Sequence, residues 1–509
     1  MSKLNKAPKK VTKTVAVVAA KHNLTVAHSA NGNLQFKKEP LQHLYELTVS
    51  TLFGRSTFYR SSDALVQSLR TEVRTAVEMG ALDFVANLAI HARGEMNIRT
   101  IPIVLVVEFA KALREQGKTY PHLRHLVRDV IQRADQITDM YAYSLDVFGE
   151  KGKIPMAIKR GVGDAFNNFG EYAFAKYNRA GAITIKDVLR IVHPVANEAK
   201  QGAIFQKIID ENLETPYTWE TELSRNGQLP EAERKSKAKL WTELLTSEKL
   251  GYMALLRNMR NIHDAGVAHN VVKTHVADII ADEQRVAASR QLTFDFLQAY
   301  DVIKPLNSSM ATAVSKAVDI SVKYLPKVGE KIWVIIDYSG SMSGKAIETA
   351  TLLAAALLKA NDGSERLAVT MFGSAAKTIH TVDTNNSVLA IQRELLTHRR
   401  GNIAGSTEFQ AAMREYPGLG FVPDTIVVFT DGEINRFHYP DLQKNSGDSN
   451  TVKLVVNLDG APTTPFIKQA GWYAMAGWTP AMFKWVPAIR NKETVVDALS
   501  GPYTERKSK

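Results

Sequence analysis

Cysteine is absent from this chain of 509 residues. That excludes disulfides and thiolate metal sites, while leaving the compartment open. Also missing is any apolar run of about 18 residues, the length a helix needs to cross a bilayer, so no membrane association is expected. An export signal is not expected either. In "MSKLNKAPKKVTKTVAVVAA" lysines precede an apolar patch, but "VAVVAA" is shorter than the roughly 7–15 apolar residues such a signal requires. A cytoplasmic protein is the expectation. There is no fixed-period repeat and no glycine-rich phosphate loop ending in lysine.

What is present is ordinary in amount and uneven in placement. Hydrophobic residues make up 45% and charged residues 23%, as in soluble globular proteins. The length exceeds what one core can fill, which implies about two to four domains. The net charge is +12, but residues 331–509 hold 19 Lys+Arg against 17 Asp+Glu, leaving 45 against 35 in residues 1–330. Five lysines fall within the first thirteen residues, so residues 1–30 read as a flexible basic arm. A basic front domain favours anionic partners, nucleic acid first among them.

The pattern over residues 31–328 is helix after helix. "SDALVQSLRTEVRTAVEMG" (62–80) opens on a Ser/Asp cap, repeats apolar residues every three or four, and stops at Gly80. "ALDFVANLAIHARGE" and "IPIVLVVEFAKALREQG" follow in the same style, the second with Pro102 in its first turn. Short turns between helices point to a solenoid-like array of helix pairs. Residues 214–240 are polar and broken, and read as a long loop. From 329 to 509 strands and helices alternate, beginning with "KIWVIIDYSG", which predicts a doubly wound α/β sheet. Ligands of such sheets bind at the carboxyl ends of the strands.

Two carboxylates sit at such ends. "DYSGS" places Asp337, Ser339 and Ser341 on one tight loop, "AGSTEF" puts Thr407 before a helix, and "DGE" supplies Asp431. Only oxygen donors are on offer, which suits a hard divalent cation, Mg²⁺ above all. Alternatively these residues merely cap strands and helices. The five positions resemble the metal-ion-dependent adhesion site of von Willebrand factor A domains, which implies that Asp337, Ser339, Ser341, Thr407 and Asp431 hold the metal. It also implies binding rather than catalysis, so no enzymatic activity is expected.

The stretch 152–195 is rich in lysine and arginine. Thr184 and Asp187 make a capping box for a helix that Pro194 helps to end. On that helix Ile185, Val188, Leu189 and Val192 form the inward stripe. Lys186, Arg190 and His193 share a neighbouring ridge suited to phosphate oxygens or, equally, to water. The histidine groups His122/His125 and His263/His269/His275 show no metal spacing and read as surface or core residues. Trp472, Trp478 and Trp485 read as core or domain-closure anchors.

"IPMAIKRGVGDAFNNFGEYAFAKYNR" followed by "KDVLRIVHPV" resembles the TROVE module of the Ro autoantigen family. "GYMALLRNMRNI", "FDFLQAY" and "MAGWTPAMFKWVPAIRN" resemble later segments of the same family. The length and the lack of cysteine are those expected of a bacterial or phage member rather than an animal one. The resemblance implies a HEAT-like helical ring closed by the A domain, acting as a monomer. It implies small noncoding Y-like RNA on an outer basic surface and single-stranded 3′ ends of misfolded RNAs in a central hole. RNA quality control or decay with a partner exoribonuclease is the implied role. The implied RNA contacts fall on Lys159, Arg160, Lys176, Arg179, Lys186, Arg190 and His193, with Arg257 and Arg260 in "LLRNMRN" beside them. The alternative is a protein-binding A-domain adaptor for which the helical array is only a scaffold.

Overall fold

The structure, a computed structural model, describes all residues except 1–8, 30–31, 51–61, 179–180, 292, 399–402, 404, 435–444, 478–479 and 506–509. The chain divides into two compact units. Ser62–Arg285, Val302–Ala311 and Leu499–Lys509 form a helical unit. Met1–Ser61, Val286–Asp301 and Thr312–Ala498 form an α/β unit.

The helical unit begins with the helices Ser62–Glu78 and Leu82–Gly94, separated by a turn in which Gly80 takes φ +78°. Ile101–Glu115 follows, with Pro102 in its first turn where its missing N–H costs nothing. Arg70, on the first of these helices, grips Glu108 with two hydrogen bonds of 2.9 and 2.7 Å. The hydroxyl of Tyr143, on the helix Asp135–Phe148, donates to the same carboxylate at 2.7 Å. A carboxylate this buried is tolerated because three donors saturate it. Further on, Gly161 of the helix Met156–Phe166 lies against the backbone of the helix Leu123–Val130. A Cβ there would come within 2.4 Å of the Arg124 carbonyl oxygen.

The expected loop over 214–240 is instead largely helical, with Trp219–Gln228 followed by Lys237–Thr246. Thr218 and Thr221 cap the first reciprocally, Ser236 caps the second, and the rings of Trp219 and Trp241 stack at 6.2 Å. Capping and one aromatic pair outweigh a composition poor in apolar residues.

The α/β unit contains nine described strands: β1 (Val26–His28), β2 (Leu34–Lys37), β3 (Lys331–Asp337), β4 (Arg366–Phe372), β5 (Ala376–Ile379), β6 (Thr425–Thr430), β7 (Val452–Asn457), β8 (Thr463–Thr464) and β9 (Trp472–Ala476). The main sheet runs β5-β4-β3-β6-β7-β9, parallel except for the edge strand β5. From β3 the chain goes first to β4 on one side and later to β6 on the other. The switch point of the topology therefore lies between β3 and β6. Trp333, fully buried in β3, satisfies its indole N–H on the Thr370 hydroxyl at 2.7 Å.

Residues 1–30 do not form the expected loose arm where they are described. Lys9–His22 is a helix, and Val15, Val18 and Ala19 join the core of Trp333, Phe409, Phe466 and Trp472. The boundary expected near residue 30 shifts as well. β2 pairs with β8, and Glu46 of the helix Pro40–Ser50 accepts from Asn457 at 2.8 Å and pairs with buried Lys38. Residues 286–301 and 312–322 also pack in this unit, Asp319 accepting from the Val388 N–H at 2.8 Å. Trp472 is buried, Trp485 is half-buried, and Trp478 lies outside the described residues. No helix among the described residues is long and apolar enough to cross a membrane.

Candidate functional site

Asp337 ends β3, and Asp431 follows β6 directly, so both carboxylates stand at the switch point, fully buried. One oxygen of Asp337 accepts from the Ser339 N–H at 2.9 Å, the other from the Thr430 hydroxyl at 2.8 Å. Asp431 accepts from the Glu433 N–H at 3.0 Å. The hydroxyls of Ser339 and Ser341 lie 3.1 Å apart. Buried Thr407 sits on the loop whose Gly405 carbonyl accepts from the Gly340 N–H at 3.0 Å. Three loops thus carry the five expected residues to one end of the sheet.

Burial, and then the nearby charge of Asp431, push the Asp337 carboxyl up to about 7. Two buried acids this close do not both stay ionised at neutral pH without a proton or a cation. The surrounding donors are all oxygens, and Ser341 is only half-buried. This donor set fits a hard divalent ion that keeps water or takes an oxygen from a ligand.

In the helical unit the expected RNA residues fall into groups. Lys186 and Arg190 lie on the helix Ile185–Val192 and His193 ends it, and the capping box is formed as expected: Thr184 accepts from the Asp187 N–H, and Asp187 accepts from the Thr184 N–H at 2.9 Å. Ile185, Val188 and Leu189 are buried, but Val192 is only half-buried because the helix ends at His193, which takes a left-handed φ of 47°. Lys186 is also less free than a phosphate ligand requires, since its ammonium pairs with Glu211 at 3.0 Å. Lys159 and Arg160 lie on the helix Met156–Phe166, half-buried and exposed. Arg260 is exposed and faces Asp264 at 3.6 Å. Arg179 lies outside the described residues.

The remaining two, Lys176 and Arg257, belong to a constellation that sequence reasoning missed. Arg133 stacks over the Tyr177 ring at 4.8 Å, and the Lys176 ammonium lies 5.7 Å from the same ring. Arg99 reaches solvent yet is crowded by the chain. Desolvation, with repulsion from Arg133 and Arg257, lowers its pKa. Two cations on one aromatic ring, Arg133 (itself paired with Asp135) and Lys176, with Arg99 in electrostatic reach of that ring and Arg257 in reach of Arg99, suit a single nucleic-acid strand, whose phosphates need charge and whose bases need a ring. The only sequence signal was positional. Arg99 and Arg133 each lie two residues before a helix start, outside any amphipathic stripe.

Comparison with known proteins divides the chain near residue 330 instead, so the TROVE match takes in residues 35–61, 286–301 and 312–327 that pack in the α/β unit. Residues 35–212 and 211–327 match the TROVE domain, and residues 332–433 match the von Willebrand factor type A domain. Telomerase protein component 1 of Mus musculus is 24% identical over 367 residues, covering 55% of this chain and 13% of that protein. Its Rattus norvegicus counterpart is 23% identical, with the same coverage of each. The chain thus spans only 13% of the length of these curated relatives. The crystal structure of the Deinococcus radiodurans Ro (RSR) protein superposes with a TM-score of 0.57 at 16% identity, over 89% of this chain and all of that one. The likeness establishes a shared fold.

Proposed function

Because this chain belongs to the TROVE domain family, we propose that it is an RNA-binding protein of the ribonucleoprotein type, working through two surfaces of its helical unit. The observation that carries the reading is Arg133 and Lys176 on the Tyr177 ring, with Arg99 in electrostatic reach of both that ring and Arg257. Single-stranded 3′ ends of misfolded RNAs bind there, phosphates against the cations and a base on the tyrosine. Structured small RNA of the Y-like kind binds the ridge of Lys186, Arg190 and His193, where Glu211 must yield Lys186 to a phosphate. Lys159, Arg160 and Arg260 add sequence-independent charge. The protein acts as a binder in RNA quality control, presenting RNA ends to an exoribonuclease, and catalyses nothing itself.

In the A domain, Asp337, Ser339, Ser341, Thr407 and Asp431 would hold Mg²⁺, supplying an electrophilic point that a carboxylate of a protein ligand could complete. The half-buried Ser341 at the edge of that cluster favours a second reading, a protein-binding adaptor. Filter binding of a small structured RNA across a salt series separates the two. The RNA reading expects saturable binding whose log affinity falls linearly with log salt. No saturable binding at low salt leaves the adaptor.

A further inference from the structure

Two histidines and a glutamate converge in the helical unit, outside both surfaces described above. His122 precedes the helix Leu123–Val130, His125 lies near the end of its first turn, and Glu505 reaches them from the end of the chain. Nδ1 of His122 lies 3.7 Å from Glu505 Oε1, and Nδ1 of His125 touches the same oxygen. All three donor atoms lie within 4.8 Å of one another. Two imidazoles and one carboxylate form a donor set typical of zinc held by three protein ligands. Bonds of about 2.0–2.1 Å in a tetrahedron set donor atoms about 3.3 Å apart. The His122–Glu505 spacing is close to that, and the His125 contact needs only a swing of an exposed carboxylate.

A simple ion pair explains the geometry less well. The Nδ1 of His125 is sealed from solvent, and it makes no hydrogen bond, because the nearby carboxylate oxygen is not aligned with the ring N–H. A metal ion addresses both lone pairs from one point and needs no such alignment. The surroundings also hold the donors in place beforehand. Arg128 lies 3.8 Å from the second oxygen of Glu505, leaving the first to the histidines. Tyr503, two residues earlier, donates to Asp129 at 2.9 Å and sets its ring 5.4 Å from that of His122. The Asn87 amide donates to the carbonyls of Leu499 and Gly501 at 3.0 and 2.7 Å. Outer contacts of this kind orient metal ligands.

We propose that His122, His125 and Glu505 bind one divalent ion of the zinc class through two Nδ1 atoms and one carboxylate oxygen, with water completing the shell. Imidazole donors select such an ion over Mg²⁺. Bound there, the ion fastens residues 499–505 to the helix Leu123–Val130.

The test titrates the full-length, EDTA-stripped protein with zinc chloride against a competing dye, with excess Mg²⁺ occupying any oxygen site. Wild type, His125→Asn, Glu505→Gln and the exposed control His269→Asn are compared, after their melting curves in EDTA are shown to coincide. The expected result is one tight zinc ion in wild type and His269→Asn, weakened at least about tenfold in the other two. Zinc should also slow hydrogen exchange over residues 500–505 in wild type and leave it unchanged in Glu505→Gln. No zinc uptake by wild type, or equal uptake by all four proteins, overturns the proposal and reduces the cluster to an ion pair.

Discussion

The Thr430 hydroxyl donates to Asp337 Oδ2 at 2.8 Å, joining the ends of β3 and β6. That bond fixes one oxygen of a fully buried carboxylate whose neighbour, Asp431, is also acidic. Without metal, the Asp337 carboxyl is held near 7 when folded, against 3.8 as its ordinary value. The folded state therefore binds this proton more tightly than the unfolded one. Its contribution to stability is complete below about pH 4 and is lost as pH rises through 7. In EDTA the melting temperature of the α/β unit should fall between pH 5 and 7.5. Added Mg²⁺ should raise it at pH 7.5 and flatten the slope. Calorimetry in Mg²⁺ and in EDTA checks this, and coincident curves would remove the metal from the account. Asp431→Ala should abolish the response to Mg²⁺.

Gly161 tests the packing that positions the basic helices. Its absent Cβ would meet the Arg124 carbonyl oxygen at 2.4 Å and Val127 Cβ at 2.7 Å, and a helix backbone yields little. Gly161→Ala should destabilise the helical unit by about 1–3 kcal/mol, despite the better helix propensity of alanine. Urea denaturation measures it. An unchanged midpoint would mean that the two helices separate easily.

On the ridge, Glu211 competes with RNA for Lys186. Glu211→Gln should tighten binding of a structured RNA at low salt. Neutralising Lys186 and Arg190 together should flatten the salt slope by about one to two units, since each phosphate contact contributes about 0.7–0.9. Binding assays at several salt concentrations decide it. If neither substitution matters, the ridge is only a solvated helix face.

Legibility in the sequence tracked how local the determining interaction is. The strands around Trp333 and Val427 are continuous apolar runs, and the oxygen cluster follows from strand tips and one five-residue loop. Its raised pKa does not, since that depends first on burial in the assembled sheet and then on Asp431, 94 residues away in sequence. The first helix was misread because lysines flank Val15, Val18 and Ala19, whose i, i+3, i+4 spacing marks a buried face. Thr218 and Ser236 show that short caps rescue helices in polar sequence. Arg99, Arg133, Tyr177 and Arg257 come from four separate segments, and Glu505 meets His125 from 380 residues further along. No periodicity reports such meetings.

Arg133 and Lys176 at the Tyr177 ring, continued by Arg99 and Arg257, are proposed to bind a single RNA strand. The most direct measurement compares an RNA duplex carrying a free single-stranded 3′ tail with the same duplex blunt-ended, for wild type and for Tyr177→Ala combined with Arg257→Gln. Stacking of one base on an aromatic ring contributes about 1–3 kcal/mol, so the tail should strengthen wild-type binding by about tenfold or more. The advantage should shrink as salt rises, depend little on tail sequence, and vanish in the double variant. Equal affinity of wild type for tailed and blunt duplexes at every salt concentration would contradict the account.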